Sequence, residues 1–213
     1  MTAMKKTGFY MMIADAMLAM ALLHTACGGK RQPQSGAGEP EPPAGMMEES
    51  RLLRMIDGEG YVMAEIVNPW DTTRMLSRYL LVERGVEPDS LPGGEYVRVE
   101  VPLERALVYS SVHGGVICEL GAGERIAGVA DGEYFTKEPL AGRVRRGEVR
   151  NVGSSMAPSV EAIVALKPDA MLISPFENAG HGVVEQTGVP IIECADYMES
   201  TPKGLSLIHI SEP

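Results

Sequence analysis

Residues 151–199 read NVGSSMAPSVEAIVALKPDAMLISPFENAGHGVVEQTGVPIIECADYME. The signals follow one another as loop, helix, turn, strand, loop, helix, turn, strand. Pro168 stops the first helix, and Gly188 suits the left-handed end of the second. The apolar runs 170–173 and 189–192 are short and bounded by turn signals, as buried strands are. Helices that alternate with buried strands force parallel, right-handed crossovers. Ligands of such α/β layers sit at the carboxyl ends of the strands.

The same plan extends upstream. A strand over 106–109 leads to a helix over 113–120, then to the turn Gly121-Ala122-Gly123-Glu124 and a strand over 126–129. The expected fold class is α/β, a Rossmann-like parallel sheet over residues 105–204. Four loops should meet at one rim: 110–113 (SSVH), 131–135 (DGEYF), 153–156 (GSSM) and 174–178 (SPFEN). They offer hydroxyls, aromatic faces and backbone N–H groups, which suit a bulky, partly polar ligand.

The wording Pro158-Ser159-Val160-Glu161-Ala162-Ile163, then Ala165-Leu166-Lys167-Pro168-Asp169 and an apolar strand, resembles the first lobe of the periplasmic binding proteins that feed ABC importers of iron–siderophore, haem and cobalamin. The resemblance runs over about residues 106–204. This family (class III, two lobes linked by a helix) implies an iron chelate or a corrinoid as cargo, no catalytic cofactor, an ABC permease as partner and a monomer in the periplasm. By loop position it implies ligand contacts from Ser111, His113, Tyr134, Ser155 and Met156. His113 has two further readings: a helix-opening residue that orders its loop, or a ligand to the metal of haem or cobalamin. Glu161 falls where a family glutamate docks onto arginines of the permease, although a carboxylate in a first helical turn is also favoured by the helix dipole. The resemblance further implies a second lobe, reached by a long helix that opens near residues 200–202.

The two ends read differently from this lobe. Lys5 and Lys6 precede an apolar run over 9–23 that is short for a membrane span, and Ala26-Cys27 follows. Residues 1–26 are expected to be a lipoprotein signal peptide with Cys27 as the lipidated residue. Asp15 and His24 depart from the usual pattern, and an ordinary signal peptide is the alternative. Residues 27–50 are rich in Gly, Pro, Gln, Ser and Glu and lack aromatics, the composition of a tether that places the domain clear of a bilayer. Residues 205–213 (LSLIHISEP) read as a translated sequencing adapter and are set aside from the fold; a natural strand is the alternative.

Between tether and lobe, residues 51–104 are expected to form a small β-hairpin or meander. Runs 60–67 and 78–83 are apolar and β-branched, with a turn at Asn68-Pro69-Trp70-Asp71. Trp70 reads as a packing residue. Val97, Val99 and Val101 alternate with Arg98 and Glu100, as in a half-exposed antiparallel strand.

Composition narrows the function. The net charge of −10 disfavours nucleic acid as partner. Arg143, Arg145, Arg146 and Arg150 cluster, but Glu148 interrupts them, and a solvated loop is expected. Cys118 and Cys194 read as buried thiols, with a disulfide open in an oxidising compartment. No enzyme is expected. The glycines at 121, 123 and 128 follow a helix and precede a strand, the reverse of a dinucleotide loop, and neither a phosphate-loop lysine nor G-x-S-x-G occurs. Outside the two ends only His113 and His181 remain as imidazoles, few for a free divalent metal. His181, between glycines, reads as a solvated loop residue. A free-metal binding protein and a surface lipoprotein without transport function are the alternatives.

Overall fold

Two main sheets are built, each from a different pattern of burial, and a two-stranded hairpin stands beside them. In the computed structural model, residues 50–200 are described, all within one unit of the chain. The signal peptide, Cys27, nearly all of the tether and the 205–213 segment lie outside the described residues.

The first sheet contains β1 (Leu53–Gly58), β2 (Tyr61–Val67), β3 (Met75–Glu83) and β4 (Val97–Val101), in that order. The β1–β2 hairpin closes from Gly58↔Tyr61 over the two residues Glu59-Gly60, and Gly60 takes φ +81°, a left-handed conformation suited to such a tight turn. β2 and β3 are antiparallel. β4 corrects the sequence reading, because it runs parallel to β3 in the register Tyr79↔Val97 to Glu83↔Val101. Alternating valines report which face is buried, with Val99 inward, and say nothing about strand direction. The linker 84–96 is long enough to bring the chain back to the start of β3.

The second sheet is parallel throughout: β5 (Ala106–Val108), β6 (Ile126–Val129), β7 (Arg150–Asn151), β10 (Ala170–Ile173) and β11 (Ile191–Glu193), ordered β11-β10-β5-β6-β7. A minute hairpin, β8 (Gly153–Ser154) with β9 (Ala157–Pro158), follows β7. The helices are α1 (Ser111–Glu119), α2 (Leu140–Arg145) and α3 (Val160–Leu166). The fold is therefore α/β with a parallel sheet.

The central strands feed two cores, one on each face of the sheet. Ala106, Val108, Ile126 and Val129 pack with Phe135, Leu140 and Val149 beneath α1 and α2. Leu107, Met171 and Ile173 pack with Ile163 and Val184 beneath α3. Burial on both faces explains why these strands read as unbroken apolar runs. Gly114 lets α1 sit close, since a Cβ there would lie 2.7 Å from Phe135 Cε1. A third cluster, Ala64, Tyr79, Val99 and Ala170, joins the first sheet to the second.

Polar groups fix the ends. Ser110 caps α1 by accepting from Val112 N (3.2 Å), and Ser159 caps α3 by accepting from Ala162 N (3.1 Å). Lys167 ends α3 in the left-handed region at φ +50°, and Pro168 follows. Asp169 Oδ2 then accepts from Glu104 N (2.7 Å), Arg105 N (3.0 Å) and Arg84 Nη2 (3.0 Å). The Lys-Pro-Asp wording thus has a local structural cause. Arg143 and Arg145 lie on α2 rather than in a loop, and Arg143 donates to the carbonyls of Gly123 (2.6 Å) and Ile126 (3.2 Å). The segment Gly182–Thr187 is a 3-10 helix, more tightly wound than the α-helix its sequence suggests.

Candidate functional site at the carboxyl rim

Strand direction decides where the loops go. The chain leaves β5 for β6 and β7 on one side, then returns to β10 and β11 on the other, so strand order reverses between β5 and β10. All these strands are parallel, so the loops after β5, β6, β7 and β10 open at the same edge. A reversal point at that edge is where open α/β sheets form a crevice.

The loop after β6 is anchored by Asp131, which adopts φ +48°, ψ +53°. Its N–H donates to Gly153 O (2.8 Å), and its carboxylate accepts from Ser155 N (3.1 Å). One residue thereby ties the second loop to the third and sets the β8–β9 hairpin on the rim. Met156 at the hairpin tip is 86% exposed. Tyr134 (67%), Phe176 (66%) and Val112 (59%) are also exposed on the loops or helix start at this edge. These are four large apolar side chains left in solvent on loops that open at one edge of the sheet.

The sequence-expected residues divide between two places. Ser111 and Tyr134 line a common cleft of about 400 Å³, together with Val112, Phe135 and Lys137. Ser155 is held by Asp131, and Met156 projects beyond it. His113 is not with them. It is 8% exposed, its Nε2 lies 2.8 Å from Asp196 Oδ1, and it lines a separate apolar cavity of about 300 Å³ with Leu52, Ile66 and Ile192. Its Nδ1 is buried without a hydrogen-bond partner among the described residues. Glu161 is exposed in the first turn of α3, whose start is tied to the strand layer by Ser159 N donating to Val152 O (2.8 Å).

Phe176 and Val112 were not singled out from the sequence as contacts, although their loops were. The signal that could have found them is position, since each lies within four residues of the end of a central strand. His181 also differs from its sequence reading. It is half-buried, with Nε2 2.9 Å from Glu193 Oε1, and this hydrogen bond raises its pKa above the usual histidine value. Tyr197 donates to Pro175 O (2.6 Å) and so braces the loop after β10. Cys118 and Cys194 are both free thiols; burial pushes the Cys194 pKa up to about 12 and that of Cys118 up as well. Among the described residues no group of three or more His, Cys, Asp and Glu side chains could hold a metal ion, and no helix is long and apolar enough to cross a membrane.

No family model and no curated protein sequence matches the chain. Solved structures do. The periplasmic vitamin B12 binding protein of Vibrio cholerae is 24% identical over 43% of this chain and 34% of its own, at a TM-score of 0.35. A periplasmic heme binding protein of Pseudomonas aeruginosa is 19% identical over 43% and 31%, at 0.34. A chain of the ABC-type Fe3+-hydroxamate transport system of Saccharomonospora viridis is 21% identical over 43% and 33%, at 0.32. The chain spans about a third of the length of each.

Proposed function

We propose that the chain is the first lobe of a substrate-binding lipoprotein of an ABC importer, and that it grips one side of an iron chelate (siderophore or haem) or of cobalamin. The observation that supports this reading is the rim: four loops of a parallel sheet at one edge, carrying Tyr134, Met156, Phe176 and Val112 exposed beside Ser111 and Ser155. Flat aromatic and thioether groups give contact area to a macrocycle or a chelate shell, while serine hydroxyls and loop N–H groups set its orientation. The lobe's role is binding rather than catalysis. Glu161 is the docking carboxylate for the permease, and Cys27 carries the lipid that holds the domain at the membrane on the periplasmic side.

A single lobe covers about half of such a ligand. Apolar burial contributes roughly 25 cal/mol per Å², so losing half of the contact area weakens binding steeply. The test is titration with haem, a ferric siderophore and cobalamin of both the 213-residue chain and the longest form its gene encodes, followed by haem absorbance and by Trp70 fluorescence. Saturable binding of at least one cargo by the longer form, weaker in the shorter, is expected. No response to any of the three would refute the reading.

A further inference from the structure

The loop that carries Phe176 is tied down at its far end by a network that crosses from one sheet to the other. His181 Nε2 meets Glu193 Oε1 at 2.9 Å, and both side chains are largely buried. Glu193 stands at the end of β11, and its second carboxylate oxygen accepts from Ser77 Oγ of β3. Its N–H donates to Tyr79 Oη of β3 at 2.8 Å. Glu193 is therefore fixed from behind by the first sheet, and His181 is the only member of the pair that belongs to the rim loop. The backbone N–H of His181 donates to Glu185 Oε1 at 2.6 Å, so a second carboxylate faces the same residue from the 3-10 helix.

We propose that His181 and Glu193 form a pH-dependent latch that positions the loop 174–181, and with it Phe176, at the rim: closed while His181 carries its proton and loosened as that proton leaves.

The groups that face His181 come from the 3-10 helix, from β11 and from β3. Glu193 and Glu185 are the charged residues that face it. Burial holds Tyr79 and Cys194 neutral, each with its pKa pushed up to about 12. The hydrogen bond to Glu193, and then its charge, raise the His181 pKa in the folded chain despite the opposing effect of burial. A histidine whose folded pKa is raised adds its stabilisation fully below the ordinary value of about 6.5 and loses it as pH climbs through the raised value. The latch is tightest under mildly acidic conditions and loosens on the alkaline side. It bears on cargo handling only if the rim binds a ligand as proposed above.

Hydrogen exchange on the 213-residue chain tests the latch without any ligand and so separates it from that reading. The informative amides are Ala179, which donates to Phe176 O at 3.3 Å, and His181. Between pH 6 and pH 8.5 their protection, corrected for intrinsic exchange, should fall about fivefold, the upper range for an ion pair that water still reaches. The amides of Leu107 and Met171 in the core strands report any general loosening and should change less than twofold. His181→Gln keeps an N–H donor toward Glu193 but cannot titrate, so its loop protection should be flat across the same range. Loop protection that is flat in the natural chain, or a pH dependence that persists in His181→Gln, would overturn the proposal.

Discussion

Asp169→Ala probes the joint between the two sheets. A single oxygen, Oδ2, accepts from the N–H groups of Glu104 and Arg105 at 2.7 and 3.0 Å and from the Arg84 guanidinium at 3.0 Å. These partners belong to the segment entering β5 and to the segment leaving β3, while Asp169 itself opens β10. Hydrogen bonds to a charged acceptor are worth about 1.5–3 kcal/mol each when buried. Water reaches this site, since the Asp169 side chain is 21% exposed, and can replace part of each bond. About 1 kcal/mol per backbone bond, plus up to 1 kcal/mol for the Arg84 pair, gives a loss of about 2–3 kcal/mol. For a domain of this size that is a fall in Tm of roughly 4–12 °C. Urea unfolding followed by circular dichroism measures the free energy, and calorimetry measures Tm. Asp169→Asn retains an acceptor but not the charge, and should cost about half as much. Combining Asp169→Ala with Arg84→Ala in a double-mutant cycle should return a coupling of about 0.5–1 kcal/mol. An Asp169→Ala protein within 0.5 kcal/mol of the natural one would show that the carboxylate is not a structural joint.

Three further outcomes follow from packing and exposure. Gly114→Ala drives a methyl group to 2.7 Å from Phe135 Cε1 and 3.1 Å from Leu140 Cδ2, and should cost about 1–3 kcal/mol in the same unfolding assay. Replacing Tyr134, Met156 and Phe176 by Ala should leave stability within about 0.5 kcal/mol, because all three are mostly in solvent, yet reduce cargo affinity in the titration above; Glu161→Lys sets a cation in the first turn of α3 and should cost about 1 kcal/mol of stability, leave affinity unchanged and lower transport.

The central layer was legible because its strands are covered on both faces. Residues 106–109, 126–129 and 170–173 contain nothing but apolar residues, glycine or the terminal Tyr109, and β5, β6 and β10 occupy them almost residue for residue. β1 was not legible: LRMIDG mixes charges with apolar side chains, because only one of its faces packs. α2 hid behind its arginines. Arg143 is a surface residue by composition, yet its guanidinium satisfies two carbonyls that no nearby sequence feature announces. At the site, the rim could be read from the alternation of helices and strands, but the fate of individual side chains could not. His113 finds Asp196 and Glu193 finds Ser77, partners separated by 83 and 116 residues, and no local pattern encodes a meeting of that range.

The short outer strand β7 has a consequence for the behaviour of the protein at high concentration. Only Arg150 and Asn151 pair there with β6, and Arg150 stands exposed at the margin. A sheet margin can recruit a neighbouring chain when it is long, flat and uncharged. Two residues and a guanidinium give an incoming strand almost nothing to zip onto, so this margin is shielded against edge-to-edge aggregation and fibre growth.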